Sequence, residues 1–101
     1  MNYYHGTSDA LLIGAFLLPP NDTGIKREDW RKKHQDKVFL TSSYKSAEYY
    51  AKKACEVYGG VPIVYKCEPM GNLIHLKDIE WIADMALILL NDNDDQKIFQ
   101  K

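Results

Sequence analysis

Three places in this chain combine a residue type and a spacing that could do chemistry. His5-Gly6-Thr7 stands at the end of a strand-like run, Asn2-Tyr3-Tyr4-His5. A glycine there lets a ligand approach the backbone closely, and the neighbouring imidazole can donate a hydrogen bond to it. The second place runs from Val38 to Ala51, where the strand-like Val38-Phe39-Leu40-Thr41 leads into a helix loaded with hydroxyls and aromatic rings. A helix turns about 100° per residue, which sets Tyr49 roughly 160° from the middle of the stripe Ala47, Ala51, Ala54 and Tyr58. Tyr49 is thereby placed to line a cleft and stack on a planar ring, whereas Tyr50, at the stripe's edge, is placed for core packing. The third place holds the carboxylates Glu68, Asp78 and Glu80. Cys67 and His75 make a nucleophile pair only on paper, because Cys67 falls on the apolar face of its strand and reads as a small buried thiol. Each candidate has a plain structural counterpart: His5 as a turn residue, Tyr49 as an exposed ring, Asp78 as a helix cap.

The elements that must position these residues follow from periodicity and breakers. Thr7 or Ser8 can cap a brief helix over Asp9-Ala10-Leu11-Leu12-Ile13, and Pro19 to Gly24 is loop. Lys37 to Thr41 reads as a strand, and Ser42-Ser43 supply capping hydroxyls for a helix from Tyr44 to Tyr58 that Gly59-Gly60 end. Val61 to Glu68 reads as a strand with Val61, Ile63, Tyr65 and Cys67 on one face. Pro69-Met70-Gly71 reads as a turn and Asn72 to Leu76 as another strand. From Asp78 the spacing of Ile79, Ile82, Ala83, Ala86 and Leu89 predicts a helix, ended by the Asn91 to Asp95 run. Strands alternating irregularly with short helices predict an α+β fold.

The chain has 101 residues, 46% of them hydrophobic and 27% charged, which suits one domain over 1–101 and argues against a disordered chain. Thirteen Lys and Arg against fourteen Asp and Glu leave a net charge of −1, so nothing draws the whole molecule to nucleic acid or an anionic membrane. No apolar run approaches the ~20 residues of a membrane helix. Met1 to His5 lacks the basic and apolar regions of a signal peptide. Two cysteines, Cys55 and Cys67, are too few for a disulfide scaffold, and the three histidines have no metal-ligand spacing. The expectation is a cytoplasmic domain without a metal. Gly-x-Gly-x-x-Gly, phosphate-binding loops, His-Glu-x-x-His and nucleophile elbows are all missing.

Taken in order, Tyr4-His5-Gly6-Thr7, the segment Val38 to Ala54, and Ile63-Val64-Tyr65-Lys66-Cys67-Glu68-Pro69-Met70-Gly71 resemble the ADP-ribosyltransferases. The order and spacing are most similar to the small rifamycin ADP-ribosyltransferases of bacteria. Lys45-Ser46-Ala47-Glu48-Tyr49 also resembles a helix of poly(ADP-ribose) polymerase catalytic domains. The resemblance implies a minimal transferase fold, two small sheets around an NAD cleft with flanking short helices. It implies that His5 bonds the adenosine ribose, that the Gly6 backbone meets the nicotinamide amide, and that Thr7 supports the adenosine end. Tyr49 would stack on nicotinamide, Ser46 would bond its carboxamide, and Phe39 stands where the family carries a tyrosine. The catalytic set is then His5 with Asp78 or Glu68. The family's acid comes after the turn at a place that here holds Ile74, His75 and Leu76; Asp78 is nearest, with Glu68 and Glu80 as the other candidates.

The activity implied by the resemblance is NAD-dependent mono-ADP-ribosylation of a protein or small-molecule acceptor, with NAD as cosubstrate. The basic segment Lys26 to Lys33 falls where these families place a loop over the dinucleotide. An RNA 2′-phosphotransferase is a weaker match, since Arg27 and Arg31 are the chain's whole arginine complement. A reading of another class is a degenerate transferase fold that binds a nucleotide or inhibits a protein, consistent with Phe39 and the displaced acid.

Overall fold

The structure is a computed structural model, and it describes residues 1–11, 14–19 and 36–91, with backbone alone at 90 and 91. The Lys26 to Lys33 segment, the end of the helix expected over residues 9–13 and the acidic run after Asn91 lie outside the described residues. The elements run β1 (Tyr3–Ser8), β2 (Phe16–Leu17), β3 (Val38–Thr41), α1 (Tyr44–Tyr58), β4 (Pro62–Lys77) and β5 (Glu80–Asn91). The fold is α+β, with one helix among the described residues and five antiparallel strands in the order β2-β5-β3-β1-β4.

The two small sheets expected are one. β4 is long enough to serve two neighbours: its first half pairs with β1, from Tyr3↔Cys67 to Ser8↔Pro62, and its remainder pairs with β5 as far as Lys77↔Glu80. β5 in turn pairs with β3, and β3 with β1, so four strands close into a ring. Full pairing with β4 carries β1 on through Gly6-Thr7-Ser8, where the sequence suggested an ending. Ser8 caps a turn: its hydroxyl accepts from the Ala10 amide at 3.0 Å.

Three further expectations are corrected. Pro69-Met70-Gly71 is a bulge inside β4, with a register shift between Met70 and Leu73 and Gly71 at φ 77°. β1 stops opposite Cys67, so Pro69 sits beyond that neighbour, where a missing amide costs no bond to it. The helix expected from Asp78 is strand β5. Ile82, Ala83 and Ala86 are buried, but Ile79 and Leu89 are exposed, so the helical stripe was the burial pattern of a strand flanked by β3 and β4. Sheet pairing overrides the modest helix preference of Ala, Leu and Met. Asp78 is therefore no helix cap. It turns the β4–β5 hairpin at φ 47°, a conformation Asp tolerates better than most residues, and its carbonyl accepts from His75 Nε2 at 2.8 Å.

α1 keeps its expected bounds. The Ser43 hydroxyl accepts from the Ser46 amide at 3.2 Å, and Gly59, at φ 78°, ends the helix with its amide on the Cys55 carbonyl at 2.8 Å. Ala47 and Ala51 pack on Val64, with Tyr4 and Tyr44 around them. A second cluster of Leu17, Val38, Leu40, Cys67, Ala83 and Ala86 fills the sheet, and Trp81 meets Tyr3 edge-on at 5.5 Å. The helix rides so close to β1 that a Cβ on Gly6 would lie 1.8 Å from the Ala47 carbonyl oxygen and 2.9 Å from the Ala51 amide. Both obstacles are backbone, so Gly6→Ala must displace the helix. We expect a loss of about 3 kcal/mol, the upper part of the overpacking range, read as a lower denaturant midpoint.

The strand β3 is tied at its start to β5. Lys37 Nζ lies 2.8 Å from Asp36 Oδ2 and 3.1 Å from Asp84 Oδ1, and Asp84 Oδ2 accepts from the Asn72 amide at 2.8 Å. The Asn72 amide first, and Lys37 second, hold the Asp84 carboxyl below its ordinary value; Asp36 and then Asp84 raise Lys37. A lowered carboxyl pKa stabilises the fold above the ordinary carboxylate value and loses that contribution as pH falls through the lowered one. Asp84→Asn should lose stability at neutral pH yet show a shallower decline below about pH 4 than the native protein, measured by denaturant midpoints from pH 7 to 2.

Candidate functional site

β1 and β3 share a single register pair, Tyr4↔Thr41. Just past it, the His5 side chain takes the place of a ladder bond: Nδ1 donates to the Phe39 carbonyl at 2.8 Å. A carbonyl can only accept, so the proton of a neutral His5 ring is on Nδ1, which makes Nε2 an acceptor. Where the ladder stops, a cleft of about 50 Å³ opens. Among the described residues it is lined by Tyr4, His5, Gly6, Phe39, Leu40, Thr41, Tyr50 and Glu80.

Three neighbouring strands and one helix bring these residues together. Tyr4 faces Thr41, and Thr41 faces Glu80, the first residue of β5. With strands about 4.8 Å apart, the backbones of β1 and β5 lie roughly 10 Å apart across this end of the sheet. The Ser42 amide donates to the Ile79 carbonyl at 3.0 Å, which fixes the hairpin turn against the entry to α1. From α1, the Tyr50 hydroxyl donates to Glu80 Oε1. The cleft therefore gathers His5, Phe39 and a carboxylate held by a phenol.

Comparison with protein-family models, with curated proteins and with solved structures finds no match to this chain. The chemistry open to the site rests on its own residues. Of those singled out in the sequence, His5, Gly6, Phe39 and the third carboxylate candidate, Glu80, line the cleft. Gly6 has a second reason to be glycine, the helix backbone over it. Thr7 is buried opposite Ile63 and does not line the cleft. Ser46 sits in the first turn of α1, its amide on the capping Ser43 hydroxyl, also outside the lining. Tyr49 is 57% exposed, as its place off the core stripe requires; it meets Tyr50 edge-on at 5.7 Å, and Lys53 Nζ lies 5.4 Å from its ring centre. Asp78 is exposed on the hairpin turn and Glu68 is exposed on β4 opposite Leu87; neither lines the cleft.

Tyr50 and Glu80 stand in the cleft where Tyr49 and Asp78 were expected. Tyr50 precedes Ala51 on the helix flank, so its ring reaches the open end of the sheet beside the buried stripe. Glu80 was one of three candidate carboxylates in the sequence, and it is the one in the cleft because residues 80–91 form a strand whose first residue meets the end of β3. Among the described residues, no three His, Cys, Asp or Glu side chains are grouped to hold a metal ion, and no helix is long and apolar enough to cross a membrane. The placement of the two tyrosines can be checked by stability. Tyr49→Ala should change unfolding free energy by less than about 0.5 kcal/mol, whereas Tyr50→Ala, which loses half-buried packing and a charged hydrogen bond, should cost about 2 kcal/mol or more.

Proposed function

We propose that the cleft binds NAD and transfers its ADP-ribose to a protein or small-molecule acceptor, as a mono-ADP-ribosyltransferase. One observation carries this reading: His5 and Glu80, from the first and last strands, line the same cleft. In the reaction the bond between nicotinamide nitrogen and ribose carbon breaks, and nicotinamide leaves with the electron pair. Positive charge builds on the ribose, and the acceptor's nucleophile bonds to the same carbon and releases its proton. Such a step needs positioning and a nearby negative charge more than a strong nucleophile. Glu80 supplies the charge, in place of Asp78 or Glu68. His5, held by its Nδ1 on the Phe39 carbonyl, stands beside the ribose, and Phe39 offers an apolar face to the departing ring. A cleft of about 50 Å³ is small beside the roughly 300 Å³ and more of most small-molecule sites, so it receives the reacting end while the rest of the dinucleotide lies along the open side.

The small cleft and the missing hydroxyl at Phe39 favour one second reading, a degenerate fold that holds the nucleotide without turning it over. One experiment separates the two. The protein is incubated with NAD labelled in its adenylate half and a cell lysate, and both label transfer and nicotinamide release are followed above lysate alone. Turnover that falls at least 10-fold in His5→Ala and about 100-fold in Glu80→Gln supports the transferase. Calorimetric NAD binding with no nicotinamide released supports the second reading, and neither binding nor release removes both.

A further inference from the structure

We infer that Tyr50 is the positioning residue for the reacting carboxylate: its hydroxyl fixes Glu80 through Oε1 and so aims the carboxylate at the ribose. This rests on the proposed transferase reading and assigns to Tyr50 a role apart from stacking or core packing. Two independent features support it. The hydroxyl and the carboxylate are joined by a hydrogen bond across 30 positions of sequence, from α1 to β5. Both residues also line the cleft, together with His5.

The chemistry gives the bond its purpose. A glutamate has three rotatable side-chain bonds, and at a strand end beside an open cleft nothing in its backbone sets where the carboxylate stands. A hydrogen bond to an ionised group is the stronger kind, and it holds geometry as well as charge. A neutral phenol does this without cancelling the negative charge, as a lysine or arginine would by ion pairing. The developing positive charge on the ribose then meets a carboxylate already in place, with no reorganisation at the moment of reaction. Tyr50 is itself held, because α1 is pinned to β1 at Gly6 and to the hairpin turn through the Ser42 amide and Ile79 carbonyl.

A positioning role predicts a loss in turnover rather than in binding. Steady-state nicotinamide release from NAD in the presence of the lysate, above lysate alone, is measured for the native protein, Tyr50→Phe, Glu80→Asp and the double variant. Tyr50→Phe keeps the ring and removes only the hydroxyl; it should lower kcat about 10- to 100-fold with KM changed less than twofold. Glu80→Asp draws the carboxylate away from the phenol, so the double variant should be no slower than Glu80→Asp alone. Tyr50→His, a planar ring that still carries an N–H donor, should retain more turnover than Tyr50→Phe, and thermal unfolding of each variant confirms that it is folded. Turnover of Tyr50→Phe equal to native, a loss confined to KM, or losses that multiply in the double variant would overturn the positioning role while leaving the transferase intact. No nicotinamide release from the native protein would remove the transferase reading and this role with it.

Discussion

The contact on which the rest depends is the approach of one helix backbone to one strand. With no side chain at Gly6, α1 can settle until the Ala47 carbonyl lies where a Cβ would be. Ala47 and Ala51, both fully buried, are small enough to let the helix come this near. At such a distance Tyr50 reaches over the end of the sheet, and its hydroxyl meets a residue of β5 in place of solvent. A helix carried further out by one methyl group would part the phenol from Glu80 and widen the cleft. Packing and site geometry are thus set by the same glycine.

The second constraint is the length of β4. A strand of 16 residues that pairs with β1 along one half and with β5 along the other forces the sheet to close. Three register shifts supply the bending, and the middle one carries Gly71 in a left-handed conformation with the Asp84 carboxylate against it. A bulge bends the strand without ending it, so Pro69-Met70-Gly71 does not separate two strands. Closure also brings the start of β5 beside the end of β3, and through β3 to the end of β1. The residues His5 and Glu80, 75 positions apart, come to line one cleft in this way.

The sequence was readable where local rules decide. Ser43 and Gly59 bound α1 because capping chemistry is written in a few adjacent residues, and Tyr49 lies off the core because 100° per residue is geometry alone. It was unreadable where a partner strand decides. Ile82, Ala83 and Ala86 are buried just as a helical face would bury them, yet two of the three lie one residue apart because β5 has a neighbour on each side and is covered on both faces. Reading that stripe as helical left Glu80 as one of three candidate carboxylates with nothing to choose it, since on a helix beginning at Asp78 it would belong to a solvated first turn. The tyrosines were exchanged for a related reason. Periodicity places Tyr50 at the margin of the stripe, but only the position of β5 tells whether that margin meets core or cleft.

The two ends of the cleft differ in how much of their chemistry packing alone accounts for. His5 has a structural role of its own. Its Nδ1–H satisfies the Phe39 carbonyl at the point where β1 and β3 part, so an imidazole would be useful there with no ligand at all. Glu80 ties β5 to α1 through Tyr50, but the hairpin itself does not call for a carboxylate. The hairpin turn is already closed by the Ser42 amide on the Ile79 carbonyl, and the register Thr41↔Glu80 needs only backbone. The described hydrogen bond of Glu80 is from the Tyr50 phenol, which orients the carboxylate without an ion pair of its own. A carboxylate oriented by a phenol at the edge of a cleft has the geometry a reaction passing through positive charge would require. The functional reading therefore stands on Glu80 and the hydroxyl that holds it, more than on the histidine by which the sequence first draws attention to this site.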